Sequence, residues 1–125
     1  MDTEKEFSIT FEERPEYLYV YVTGKRDSYE ISYYYWTKIV EKCRETGWKK
    51  VLVEEDIPEV VSIADGYKLA SEIAKMGFTG VKVAFFDCYA DHLDLNEFTA
   101  LVAVNRGLYA KVFNDFDEAE KWLNS

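Results

Sequence analysis

Four times along the chain a Ser or Asp stands three residues ahead of an Asp or Glu where a helical pattern begins: Asp27/Glu30, Ser62/Asp65, Asp94/Glu97 and Asp115/Glu118. In each pair the first side chain can accept a hydrogen bond from a backbone N–H of the first helical turn, and the second can reach back to the cap. Short apolar runs rich in Val, Phe and Tyr lie between these marks. Such runs read as strands, and strands that alternate with helices are joined in parallel, because a crossover long enough to hold a helix is what parallel pairing requires. The spacing therefore predicts an α/β protein with a mostly parallel sheet.

Periodicity fills in the elements. Phe7, Ile9 and Phe11 alternate with polar residues, and after the turn Arg14-Pro15-Glu16 the residues Leu18, Val20 and Val22 share one face, as in an opening antiparallel hairpin. A helix is expected from about Ser28 to Thr46, closed by Gly47, and a third strand from Lys50 to Glu55. A second helix should run from Ile63 to Met76, stopping at Gly77. Val81 to Phe86 is nearly unbroken in apolar character, the pattern of a strand buried on both faces, and is expected at the centre of the sheet. A helix from Leu95 to Arg106, a strand from Tyr109 to Phe113 and a closing helix from Phe116 to Leu123 complete the order β-β-α-β-α-β-α-β-α. This predicts one domain over residues 1–125, with a mixed, mostly parallel five-stranded sheet and four helices.

Composition narrows the function classes. The 125 residues suffice for a core without disulfides or metal. The net charge of -9 repels polyanions, so neither nucleic acid nor an anionic membrane surface is an expected partner. Cys43 and Cys88 lie in unrelated elements without CxxC spacing, which points to a reducing compartment. Residues 1–6 carry no leader pattern, and no apolar run approaches the roughly 20 residues of a membrane span. A cytoplasmic protein without membrane insertion is expected.

Element order, together with Val81-Lys82-Val83-Ala84-Phe85-Phe86, Ala103-Val104-Asn105-Arg106-Gly107, Val112-Phe113 and Glu118-Ala119-Glu120-Lys121-Trp122-Leu123, resembles the SpoIIAA-like branch of the STAS superfamily, relatives of bacterial anti-sigma factor antagonists. The resemblance implies a STAS-like fold and a non-catalytic regulatory module that works by binding, without a cofactor. Anti-sigma factor antagonists resemble one another in a segment Asp-Ser-Ser-Gly, whose first Ser is phosphorylated to block docking. With Gly66 matched to that glycine, this chain has Ile63-Ala64-Asp65-Gly66. Ala64 has no hydroxyl to phosphorylate, which counts against a switch at the usual position. Asp65 places a permanent negative charge nearby, and Ser62 is a shifted acceptor or simply the helix cap.

Three places are candidate sites. On a helical wheel Tyr29, Tyr33, Trp36, Val40 and Cys43 fall in one stripe, read as the core face. Ile31, Tyr34 and Tyr35 then fall on the opposite side, as a partner, dimer or apolar-ligand surface, or else as residues covered by the N-terminal arm or another helix. The C-terminal edge of the parallel strands, where α/β sheets present their crevices, gathers Glu54-Glu55-Asp56 and the loop from Asp87 to Asp94. In that loop Asp87, Asp91 and His92 have the chemistry of metal ligands, and Cys88 with His92 that of a nucleophile and base, but spacing alone assigns neither a metal nor a catalytic residue. The partner or ligand candidates are therefore Ile31, Tyr34, Tyr35, Ser62, Asp65, Asp91 and His92. The leading expectation is a protein-binding module, with self-association as a homodimer one form of it. The alternative is a carrier or sensor of a small apolar or amphipathic ligand held between the first helix and the sheet, since SpoIIAA-like proteins resemble lipid-binding SEC14 domains in topology. An enzyme or metal site in the Asp87–His92 loop is the remaining alternative.

Overall fold

A computed structural model describes residues 6–125; residues 1–5, most of the segment read above for a leader, lie outside the described residues. The strands are β1 (Phe7–Glu13), β2 (Leu18–Gly24), β3 (Lys50–Asp56), β4 (Lys82–Asp87) and β5 (Tyr109–Phe113), and the helices α1 (Tyr29–Thr46), α2 (Ile63–Lys75), α3 (Leu93–Asn105) and α4 (Phe116–Leu123). The expected element order holds throughout, with one short 3-10 turn, Ala90–His92, added ahead of α3.

The strands lie in the sheet in chain order, β1-β2-β3-β4-β5, with β1 antiparallel to β2 and every other pair parallel. The centre is therefore β3, and β4 stands beside it rather than at the middle. Three successive parallel crossovers stepping the same way across a sheet, each of the usual right hand, put their helices on the same face. Accordingly Ile39 and Val40 of α1, Leu69 and Ile73 of α2, and Val102 and Ala103 of α3 share one core with Val20, Val22, Val51, Val53 and Val83. The opposite face is covered by α4, whose Ala119 and Leu123 pack on Tyr17, Leu52, Ala84 and Phe113.

The caps follow their chemistry with two shifts. Ser62 and Asp115 accept from the backbone N–H of Asp65 and Glu118, as expected. Gly47 closes α1 in the left-handed region (φ 82°), where only glycine is free of steric cost, and its N–H bonds Cys43 O at 2.8 Å. At the start of α1, however, the cap is Ser28, one residue beyond Asp27, and it accepts from Ile31 N–H. At α3 the 3-10 turn supplies the start, so His92 occupies the cap position without a side-chain cap bond and Asp94 sits inside the first turn.

Candidate functional site

Strand alternation divides the acidic run at the end of β3. Successive side chains point to opposite faces, so Glu54 and Asp56 fall on the α4 side, where they accept from Tyr19 Oη (2.6 Å) and Tyr21 Oη (2.5 Å). Glu55 falls alone on the side of α1–α3. It is only 5% exposed, and its Oε2 accepts a hydrogen bond from the buried Tyr35 hydroxyl.

Two further carboxyl groups surround it. Asp87, across the ladder from Glu55, is held by donors on every side. Tyr89 N–H reaches Oδ1 at 2.9 Å, and Asn96 Nδ2 and His92 Nδ1 reach Oδ2 at 2.9 Å each. The other ring nitrogen of His92 lies 3.2 Å from the carbonyl oxygen of Pro58. The ring is thus held between the Asp87 carboxyl group and a backbone carbonyl, which can only accept. Asp27, displaced from the capping role, accepts at Oδ1 from Ser28 N–H and Ser32 Oγ, both at 2.8 Å.

The electrostatics follow from burial without a cation. Loss of water drives the carboxyl of Glu55 well above the ordinary carboxylate range, and the negative charges of Asp27 and Asp87 add to that. Burial likewise raises Asp27 to about 6, with Ser32 and Ser28 opposing by hydrogen bonding to the charged form. The Tyr35 hydroxyl is pushed far up, first by burial and then by Glu55. Burial and mutual repulsion thus disfavour charge on Glu55 and Asp27 together, whereas Asp87 is held by Tyr89 N–H, Asn96 and His92.

Asp27, Ser32, Tyr35, Glu55 and Asn96 form the polar end of a cavity of about 80 Å³ that continues between the sheet and α1–α3. Its walls are apolar, including Trp36, Leu69, Val83, Ala103 and Val112, and Val60 is its exposed lining residue. The volume is far above the roughly 10–15 Å³ that one water needs. Gly66 controls the approach of α2 to α3, because a Cβ there would stand 3.0 Å from Thr99 Oγ1. The glycine aligned with the phosphorylation segment thus has a packing role in this chain.

The structure redistributes the expected site residues. The wheel placement of α1 is corrected: Ile31 and Tyr35 are buried in the core and Tyr33 is exposed. The edge of Phe7 covers Tyr34 and Tyr35, with ring centroids 5.8 and 6.2 Å away. Ile31 and Tyr35 are thus core residues and Tyr34 is half-buried beneath Phe7 of β1, so the three do not form one open association surface, and of them only Tyr35 lines the cavity. Ser62 is exposed and engaged as a cap, and Asp65 is half-buried in the first turn of α2. Asp91 is exposed while His92 is buried against Asp87, so the loop does not converge as a ligand set. Among the described residues no group of three or more His, Cys, Asp or Glu is arranged to hold a metal.

The nucleophile–base pairing also fails on geometry. Cys88 turns to the other side of the strand, its thiol donating to Asp56 Oδ1 at 3.4 Å, and burial and that carboxylate push it up to about 12. A thiol so disfavoured as thiolate, with His92 engaged elsewhere, is not an activated nucleophile. Sequence reasoning named Glu55 only within the acidic run Glu54-Glu55-Asp56 and Asp27 only as a helix cap, and did not join them. The strand alternation that places Glu55 on the covered face was legible, but the position of Asp27 one residue before the cap was not.

No family model matches the sequence, and no curated protein matches it. Among solved structures, the chain is similar to an uncharacterised protein of the DUF3478 family from Shewanella loihica PV-4, described as having a SpoIIAA-like fold. The two share 20% identity over 94% of each chain, with a TM-score of 0.52. At that identity the likeness establishes the fold alone: this chain has the α/β architecture of the SpoIIAA-like fold. Among the described residues no helix is long and apolar enough to cross a membrane.

Proposed function

We infer that this chain is a non-catalytic STAS-type module that binds a small ligand, as a carrier or sensor, in the cavity beneath α1–α3. The observation that carries this reading is a cavity with apolar walls and one polar end near the C-terminal edge of parallel strands, the usual place for ligands in open α/β sheets. No residue is assigned catalysis: the His92 ring is spent on Asp87 and Pro58, and Cys88 faces away. With Ala64 lacking a hydroxyl, regulation by phosphate at the usual position is not part of the proposal.

Docking of a protein partner is the second reading, and a different surface favours it from the one expected. On α3, Phe98, Leu101 and Val104 follow one another at helical spacing along the outer face, with Leu101 59% exposed. Native mass spectrometry of gently purified protein, at low and high concentration, separates the readings. Added mass on the monomer that disappears on denaturation is the expected result. A dimer without added mass favours docking instead, and a bare monomer that takes up no small molecule counts against the carrier.

A further inference from the structure

The cavity's polar end holds two carboxyl groups, each with one oxygen outside the protein's own hydrogen bonds. Glu55 is 95% buried, since only 5% of it is exposed, and it lines the cavity. Its Oε2 is occupied by Tyr35, and among the described residues no hydrogen bond is formed at its Oε1, which is left open to the cavity rather than sealed without a partner. The same is true of Asp27, whose Oδ1 takes both available donors and whose Oδ2 takes none. The cavity lining contains no Lys, Arg or His. Asp87 shows the contrast, since the same fold provides it with His92, Asn96 and Tyr89 N–H.

We propose that the cavity takes a small organic monocation, an ammonium or amidinium head with a short alkyl tail, the head hydrogen-bonded to Glu55 and Asp27 and the tail lying against the apolar walls. The inference rests on the small-ligand reading above and names its chemistry. A cation supplies donors, which the unfilled carboxyl oxygens need, whereas a second carboxylate or a phosphate supplies only acceptors. With no Lys, Arg or His in the lining, the positive charge beside these carboxyl groups comes from the ligand. The size of the cavity, below the roughly 150 Å³ of an engineered cavity that holds benzene, restricts the tail to a few carbons.

Binding of such a cation favours the ionised carboxylates, so it releases protons and weakens as pH falls through the range in which Asp27 titrates, near 6. The titratable groups around the head are Asp27 and Glu59 from the loops, Tyr35 of α1, Glu55 of β3, Asp87 of β4 and His92 at the start of α3. The lining residues of α2 and β5 have no titratable side chain.

The test is a titration of the ¹⁵N-labelled full chain with n-butylammonium, 1-butanol and butyrate at one ionic strength, followed by amide shifts. The expected result is saturable binding of butylammonium, mapped to amides of Asp27, Ser32, Glu55 and Asn96, tighter than butanol by roughly tenfold, with butyrate weakest. Asp27→Asn with Glu55→Gln should remove the preference for the ammonium while leaving butanol unchanged. Both replacements keep an oxygen for the Ser28, Ser32 and Tyr35 donors, and the comparison of the three probes on the unaltered chain stands without them. Butanol binding as tightly as butylammonium in this cavity would overturn the cation inference and keep the small-ligand reading. No shift at these amides with any probe would overturn both.

Discussion

One face of the sheet is closed by a single eight-residue helix, α4, and the other by three longer ones. The shorter cover makes the drier core. Beneath α4, Leu52, Ala84, Ala119 and Leu123 are completely buried, and the carboxylates at the rim meet tyrosine hydroxyls while keeping contact with water. Beneath α1–α3, the large core around Val20, Ile39, Val51 and Val53 gives way at the strand ends to a cavity and to buried acids without a cation. Glu54, Glu55 and Asp56 are chemically alike and adjacent. Their behaviour differs because one alternation of the backbone sends the middle one under the helices, where the charged form loses its water.

Substitutions on the two faces should separate them. The largest effect is expected from Leu123→Ala, which removes a side chain packed on all sides and should cost roughly 3–5 kcal/mol. Leu69→Ala, on the wall of the existing cavity, deletes a group with fewer neighbours and should cost nearer 2–3 kcal/mol. Urea unfolding of both variants compares them directly, and equal losses would mean that the cavity wall is as tightly packed as the α4 core.

The second contrast is in pH. Asp27 and Glu55 have folded-state pKa values raised above their unfolded ones, so their contribution is complete below about pH 4 and is lost as pH rises, for Asp27 through about 6. Stability should decline between pH 4 and 6.5 by on the order of 2 kcal/mol relative to the Asp27→Asn/Glu55→Gln chain. On the other face, Asp56 is lowered, chiefly by the Tyr21 hydroxyl, so its smaller contribution is present above the ordinary aspartate pKa and lost in acid. Thermal unfolding of the two chains across this range checks the sign. Parallel curves would show that the buried acids are not titrating as described.

The smallest effect is expected from Tyr21→Phe, which removes the donor to Asp56 at a position open to solvent. A loss below about 1 kcal/mol is anticipated, because water replaces the hydroxyl. A substantially larger loss in the same urea assay would mean that the α4-side rim is less solvated than its geometry indicates.

Much of the fold was legible along the chain because its signals are local. Ser62 and Asp115 mark helix starts through a bond only three residues long, and Gly47 ends α1 because the left-handed turn excludes a Cβ cheaply in no other residue. The phase of α1 was not legible. Tyr29, Tyr33, Tyr34, Tyr35 and Trp36 put aromatic area on several sides of the helix, so a wheel drawn from hydrophobicity has no clear direction. The choice of Ile31, Tyr35 and Ile39 as the buried row came from contact with the sheet and from the cover that β1 lays over Tyr34 and Tyr35. His92 was singled out for its chemistry, but its partners, Asp87 five residues back and Pro58 on another loop, place it in the frame around the site and leave it out of the lining.

The sequence by itself determined the succession of strands and helices, the antiparallel opening followed by parallel crossovers, and the absence of a hydroxyl at position 64. These depend on backbone bonds within a few residues, on a period of 2 or 3.6, or on the identity of one side chain. Only the tertiary structure decided that Asp27, Tyr35 and Glu55, from a loop, a helix and a strand, meet at the end of one cavity. Burial and charge coupling are properties of that meeting, since an acid is shifted by the water it has lost and the neighbours it has gained.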